Sequence, residues 1–174
     1  MKKRILIVTD FTVRSLNLLK EALTTSHTKG ETVDVVLVHG IFLPDSSIDL
    51  LFYSKRTLIK ELTGSEFTSA CHLIKNKYQS TLNIMTTDLF SGLSQRSFDE
   101  YLVKEQIDEI YMGSWKSKSC HSRSFDLNTF VRNTNKVNKI IVKLDSEPST
   151  TVDAYQDMVE LFFSRGHVVP STDN

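Results

Sequence analysis

Asp10 stands in Thr9-Asp10-Phe11, directly behind the apolar run Ile5-Leu6-Ile7-Val8. A carboxylate at the end of a buried strand can hold a polar group of a ligand, or it can tie the turn to the helix that follows. Two more segments follow apolar runs in the same way: His39-Gly40 after Val33 to Val38, and Gly113-Ser114-Trp115 after Ile107 to Met112. Glycines let backbone N–H groups approach an anion closely, and a nearby hydroxyl or lysine adds donors. Thr9, Asp10, Gly40, Gly113, Ser114 and Lys116 are therefore the candidate ligand-binding residues, with an anion as the ligand these donors suit. No nucleophile elbow, metalloprotease helix, Walker loop or dinucleotide glycine fingerprint accompanies them. No catalytic residue is assigned, and the chain is expected not to be an enzyme.

Other chemistries fit less well. Cys120-His121 has no second Cys or His at ligand spacing, and Cys71, His27, His39 and His72 are scattered, so no metal site is expected. Cys120 among lysines is a minor redox-sensing alternative, since cations lower a thiol pKa. Asp88, Asp10 and Lys143 superficially resemble a phosphoacceptor set, but that chemistry needs a carboxylate cluster for Mg²⁺, and the first strand offers Asp10 alone. From Ser114 to Lys143 the chain carries Lys116, Lys118, Arg123, Arg132, Lys136, Lys139 and Lys143 against Asp126. That run is an altered anion site or, more plainly, a solvated loop and helix face. Without interleaved aromatics it does not read as a nucleic-acid surface.

The elements that must position these residues are legible from periodicity. Five apolar runs (Ile5 to Val8, Val33 to His39, Leu82 to Thr86, Ile107 to Met112, Lys139 to Leu144) predict strands buried on both faces. Leu16, Leu19 and Leu23 predict a helix starting near Thr12. Thr63-Gly64-Ser65-Glu66 has capping-box spacing before the stripe Phe67, Cys71, Ile74 and Tyr78. Phe98 and Leu102 mark a helix capped by Ser91 or Ser94, and Leu127, Phe130 and Val131 another. Gly40 to Tyr53 reads as an irregular loop. Strands alternating with helices predict a three-layer α/β sandwich that binds ligands where strand order reverses.

The formal net charge is zero, with 21 basic and 21 acidic side chains, so no global field selects an anionic partner. Two cysteines point to a reduced compartment. The apolar run behind Met1-Lys2-Lys3-Arg4 is too short for a signal peptide, and no stretch suits a membrane span. A cytoplasmic protein is expected, with neither membrane nor nucleic acid as partner. The division predicted is an α/β domain over residues 1–144 and a tail over 145–174. That tail comprises a linker, an amphipathic helix marked by Val152, Tyr155, Val159 and Phe162, and a frayed end from Val168. The helix docks on its own chain or on a second subunit.

The segment Arg4 to Thr12 running into Ser15 to Leu23 resembles the amino terminus of the universal stress protein family. Val33 to His39 is similar to that family's second strand, Asp108 to Ser114 to its fourth strand and phosphate loop, and Asn138 to Lys143 to its last strand. The resemblance covers residues 2–144. It implies a flavodoxin-like (adenine-nucleotide-hydrolase-like) fold, a five-stranded parallel sheet of order 3-2-1-4-5, here with an extra C-terminal helix. It also implies a homodimer through the last strand, Lys139 to Leu144, with the C-terminal helix as an additional or substitute contact. Many members hold ATP, the nucleoside near the first two strands and the phosphates on a loop spaced Gly-x2-Gly-x9-Gly-[Ser/Thr]. Asp10 matches the acidic residue that contacts the nucleoside, and Gly113 and Ser114 match the start of the loop. The remaining loop positions hold Lys116, Asp126 and Leu127, and a carboxylate facing a triphosphate is repulsive by about a kcal/mol or more. The branch without the ATP loop is the better match. No cofactor is expected, and the function implied is a non-catalytic regulatory or interaction protein of the stress response. The alternative is a nucleotide or small-anion sensor, for ATP or an AMP-like nucleotide, with Asp10 on the nucleoside and Ser114, Lys116 or Lys118 on the phosphates.

Overall fold

A computed structural model describes residues 2–115, 121–143, 158, 159, 161, 162 and 167–169. Four parallel strands form the centre: β1 (Lys3–Val8), β2 (Val33–Ile41), β3 (Leu82–Phe90) and β4 (Glu109–Gly113). A two-residue strand β5 (Ser124–Phe125) precedes β6 (Asn138–Lys143), and β7 (His167–Val169) comes last. The sheet runs β3-β2-β1-β4-β6-β7, with β5 paired to β2. Its five parallel strands thus have the expected order 3-2-1-4-5.

Alternation along β1 explains the layers, because successive side chains point to opposite faces. Ile5 and Ile7 join α1 (Leu16–Thr28) and α4 (Ser65–Lys77) in one core, through Leu19, Leu23, Phe67 and Ile74. Leu6 and Val8 join α5 (Gln95–Lys104) and α6 (Asn128–Asn133) in the other, through Phe98, Leu102 and Val131. Aromatic rings dominate the second core: Phe98 lies edge-on to Phe90 at 5.3 Å and beside Phe130 at 5.9 Å.

Several local expectations need correction. Gly40 to Tyr53 is not an irregular loop: Gly40 and Ile41 end β2, and Ser47–Leu51 form helix α2, capped by the Ser46 hydroxyl. A five-residue helix with no buried residue carries no apolar stripe, so periodicity passes over it. Thr63 does not open a capping box, because its hydroxyl donates to the Ile59 carbonyl at the end of α3 (Lys55–Leu62), and Gly64 is the N-cap of α4. Thr12 does cap, accepting from the Ser15 N–H of a short 3₁₀ turn ahead of α1. Ser94, not Ser91, caps α5. β3 extends beyond Thr86 to Phe90, through the polar Thr87 and Asp88.

Where they are described, the C-terminal residues pack on their own chain, one of the two expected dockings, while Val152 and Tyr155 of the expected helix lie outside the described residues. Leu161 is wholly buried in the α1 core, and its carbonyl accepts a 2.8 Å hydrogen bond from Lys20 Nζ. Phe162 lies under the Lys77 ammonium, 5.9 Å from the ring centre. The predicted fraying from Val168 is wrong for Val168 and Val169, which pair antiparallel with Val142 and Ile141. Consequently the last parallel strand is not an unpaired edge over Ile141–Lys143. Leu144 and the linker lie outside the described residues. Among the described residues no helix is long and apolar enough to cross a membrane.

Candidate functional site

Strand order reverses between β1 and β4, and there the carboxyl ends bring Thr9 and Asp10 beside Gly113. A small cleft of about 10 Å³ lies between them, bounded also by Ser15, Leu18, Trp115 and Asn128. Trp115 forms part of its wall. Its indole lies against Gly113, so close that a Cβ on Gly113 would meet the ring at 2.6 Å. The Arg14 guanidinium sits over the indole, 5.4 Å from its centre.

Asp10 and Thr9 are committed to the turn. Asp10 Oδ1 accepts from the Thr12 N–H at 3.1 Å and from the Thr12 hydroxyl at 2.6 Å. Thr9 Oγ1 accepts from the Phe11 N–H and shares a hydrogen bond with the Ser15 hydroxyl at 2.8 Å. These contacts hold Phe11 at φ 59°, a left-handed backbone that costs a bulky side chain energy. Packing offsets it: the Phe11 ring meets His39 at 5.1 Å and Phe67 edge-on at 5.5 Å.

Gly40 does not reach this cleft. The chain leaves β4 and rejoins the sheet as β5 on the far side of β1, pairing antiparallel with the end of β2 (Gly40 with Phe125, Ile41 with Ser124). A Cβ at Gly40 would stand 2.8 Å from both the Phe125 ring and its carbonyl oxygen, so the glycine admits the crossing strand. His39 fastens this crossing to β1: Nδ1 is 2.8 Å from the Thr9 carbonyl, and Nε2 is 2.8 Å from the Ser124 hydroxyl. With Nδ1–H donating to Thr9, Nε2 is left to accept from Ser124. Burial pulls this imidazole below the ordinary histidine value, against the hydrogen bond to Thr9 and the charge of Asp10.

Of the six residues singled out in the sequence, Thr9, Asp10 and Gly113 meet, and Gly40 lies under β5. Ser114 is exposed, with its N–H bonded to the Val142 carbonyl. Lys116 lies outside the described residues, as do Lys118 and Cys120. The structure adds Trp115 and Asn128, whose Oδ1 is buried and has no hydrogen-bond partner among the described residues. Trp115 was adjacent to the motif, but only folding back on a glycine makes it a plug. Asn128, thirteen residues beyond Trp115, shows no signal in the sequence. Asp88 is held by the Lys55 ammonium and by the Tyr101 hydroxyl, with β2 between it and Asp10, so no phosphoacceptor cluster forms. No group of three or more metal-ligating side chains occurs among the described residues.

No protein-family model matches the sequence, and no curated protein matches it. Solved structures do. The hypothetical protein MJ0577, a structural-genomics test case, aligns at 19% identity over 83% of this chain and 98% of its own, with a TM-score of 0.50. A universal stress protein family protein from Arabidopsis thaliana, with AMP bound, aligns at 8% identity over 88% and 98%, again with a TM-score of 0.50. Universal stress protein UspA from Lactobacillus plantarum aligns at 16% identity over 80% and 96%, with a TM-score of 0.49. At such identities a likeness is one of architecture. The parallel order, the helices on both faces and the reversal at β1 and β4 together give this chain the universal stress protein fold.

Proposed function

We propose that the chain is a universal-stress-protein-like regulatory or interaction protein of the cytoplasm, without catalysis and without the usual ATP grip. The observation that carries this reading is the indole of Trp115 lying on Gly113. A phosphate-binding glycine must leave its backbone open to an anion, and here a ring stacked under Arg14 covers it. The remaining cleft has about the room of one water molecule. Asp10 and Thr9, which a nucleoside would need, are engaged by Thr12, Phe11 and Ser15.

A thermal-shift titration with ATP, ADP, AMP and cyclic nucleotides at millimolar levels tests the reading. The midpoint is expected to move by less than about 1 °C for each. A saturable rise of several degrees with any of them overturns it.

The second reading, a nucleotide or small-anion sensor, draws support from Asn128, whose buried carbonyl oxygen, beside Thr9, Asp10 and Gly113, lacks a partner among the described residues. The Arabidopsis neighbour's AMP belongs to a protein of the same fold. This reading requires Trp115 to swing away. It predicts a nucleotide-dependent shift that Asp10→Ala and Asn128→Ala each remove. A homodimer through Lys139 to Leu144 belongs to the first proposal only with β7 displaced, since β7 satisfies Ile141–Lys143.

A further inference from the structure

Exposed large apolar side chains are concentrated in one segment: Phe42, Leu43, Ile48, Leu50, Leu51 and Phe52. Leu51 and Phe52 are 82% and 83% exposed, far beyond the scattered surface leucine that needs no explanation. α2 contributes no buried residue, so it is not there to fill the core. Beside it runs an open groove of about 610 Å³ between α2 and α3, reaching to His121 and Arg123.

The charges in that groove are lopsided. Asp45, Asp49 and Glu61 line it, and none has a hydrogen bond or ion pair from its carboxylate among the described residues. Six carboxylates elsewhere form ion pairs: Asp34 with Lys2, Glu31 and Glu109 with Lys3, Glu105 with Arg4, Asp88 with Lys55 and Glu100 with Arg96. Arg123 also lines the groove, its guanidinium donating to the Phe42 carbonyl, so the lining carries three carboxylates against one guanidinium, with His121 beside it. Arg56 and Lys60, on α3, do not line the groove.

We propose that the α2–α3 face is a docking surface for a short amphipathic segment of another protein that carries Lys or Arg beside its apolar side chains. Apolar anchors bury Leu51 and Phe52, and the partner's cations meet Asp45, Asp49 and Glu61. A second copy fits poorly, because a twofold contact sets these carboxylates against themselves. An anionic membrane is repelled by the same carboxylates. The inference rests on reading the chain as an interaction protein.

Fluorescence anisotropy on the full chain, with a labelled synthetic Leu/Lys amphipathic peptide as probe and a Leu/Glu peptide as control, is the test. Saturable binding of the Leu/Lys peptide alone is expected. The triple variant Asp45→Asn/Asp49→Asn/Glu61→Gln weakens it about tenfold, the sum of a few partly exposed charge contacts. Leu51→Ser/Phe52→Ser weakens it comparably, whereas Glu66→Gln, outside the groove, leaves it unchanged. Far-UV circular dichroism checks that each variant is folded. Three results overturn the proposal: equal binding by every variant, a dimer in sedimentation that Leu51→Ser/Phe52→Ser dissociates, or binding to phosphatidylserine vesicles that the same pair removes. A nucleotide-dependent thermal shift reports on the switch-point cleft instead, so failure there leaves the peptide result standing, and the reverse.

Discussion

His39 joins three segments of chain by its two ring nitrogens, and only the neutral ring can accept from Ser124 while donating to Thr9. Because burial lowers its folded pKa, the unfolded chain binds the proton more readily. The contribution of His39 to stability is therefore complete above the ordinary histidine value and declines as pH falls from there toward the lowered value. Urea midpoints measured from pH 7.5 down to 5 are expected to fall, with a flatter profile for His39→Gln than for the parent chain. Gly40 makes a second test at this scale. Its neighbour Phe125 presents backbone as well as ring, so Gly40→Ala cannot be relieved by a rotamer change alone. A loss of about 1–3 kcal/mol is expected from equilibrium unfolding. A neutral result would mean that β5 does not press on β2.

At the level of elements, the C-terminal residues act as a clasp. Leu161 anchors one part in the α1 core, and β7 extends the sheet past β6. Without β7 the N–H and C=O groups along Ile141–Lys143 would form an open edge, a template for another strand. Leu161→Ala is expected to cost about 2–5 kcal/mol, read as a lower denaturant midpoint. Val168→Pro removes a donor from β7 and should leave the core largely intact while raising self-association, measured by light scattering at tens of micromolar. Unchanged scattering would mean that β7 does not guard the edge. Short elements such as α2 and β5 were not legible in the sequence, because one turn or two residues cannot display a period.

Across the whole molecule, one sheet separates two cores, and the same strands line both. Ile5 and Ile7 serve one core and Leu6 and Val8 the other, so neither side can melt without exposing the back of the sheet. Leu19→Ala and Phe98→Ala, on opposite faces, should each lower a single unfolding transition, monitored together by far-UV circular dichroism and tryptophan fluorescence. Two separated transitions in either variant would show that the layers are independent.

Strand order came with the resemblance to the universal stress protein family; the sequence by itself determined the layered α/β architecture and the placing of Thr9, Asp10 and Gly113 at the carboxyl ends of its strands. Those follow from local periodicity and from the rule that parallel strands need crossovers, both written in neighbouring residues. Tertiary structure alone decided that Trp115 closes the cleft, that β5 lies across Gly40, and that Asn128 arrives beside Asp10. The last two join residues far apart in the chain, where no spacing records the geometry, and Trp115, two residues from Gly113, closes the cleft only by folding back on it. A glycine that admits an anion and a glycine that admits an indole or a crossing strand are the same letter. Only the packed neighbour distinguishes them.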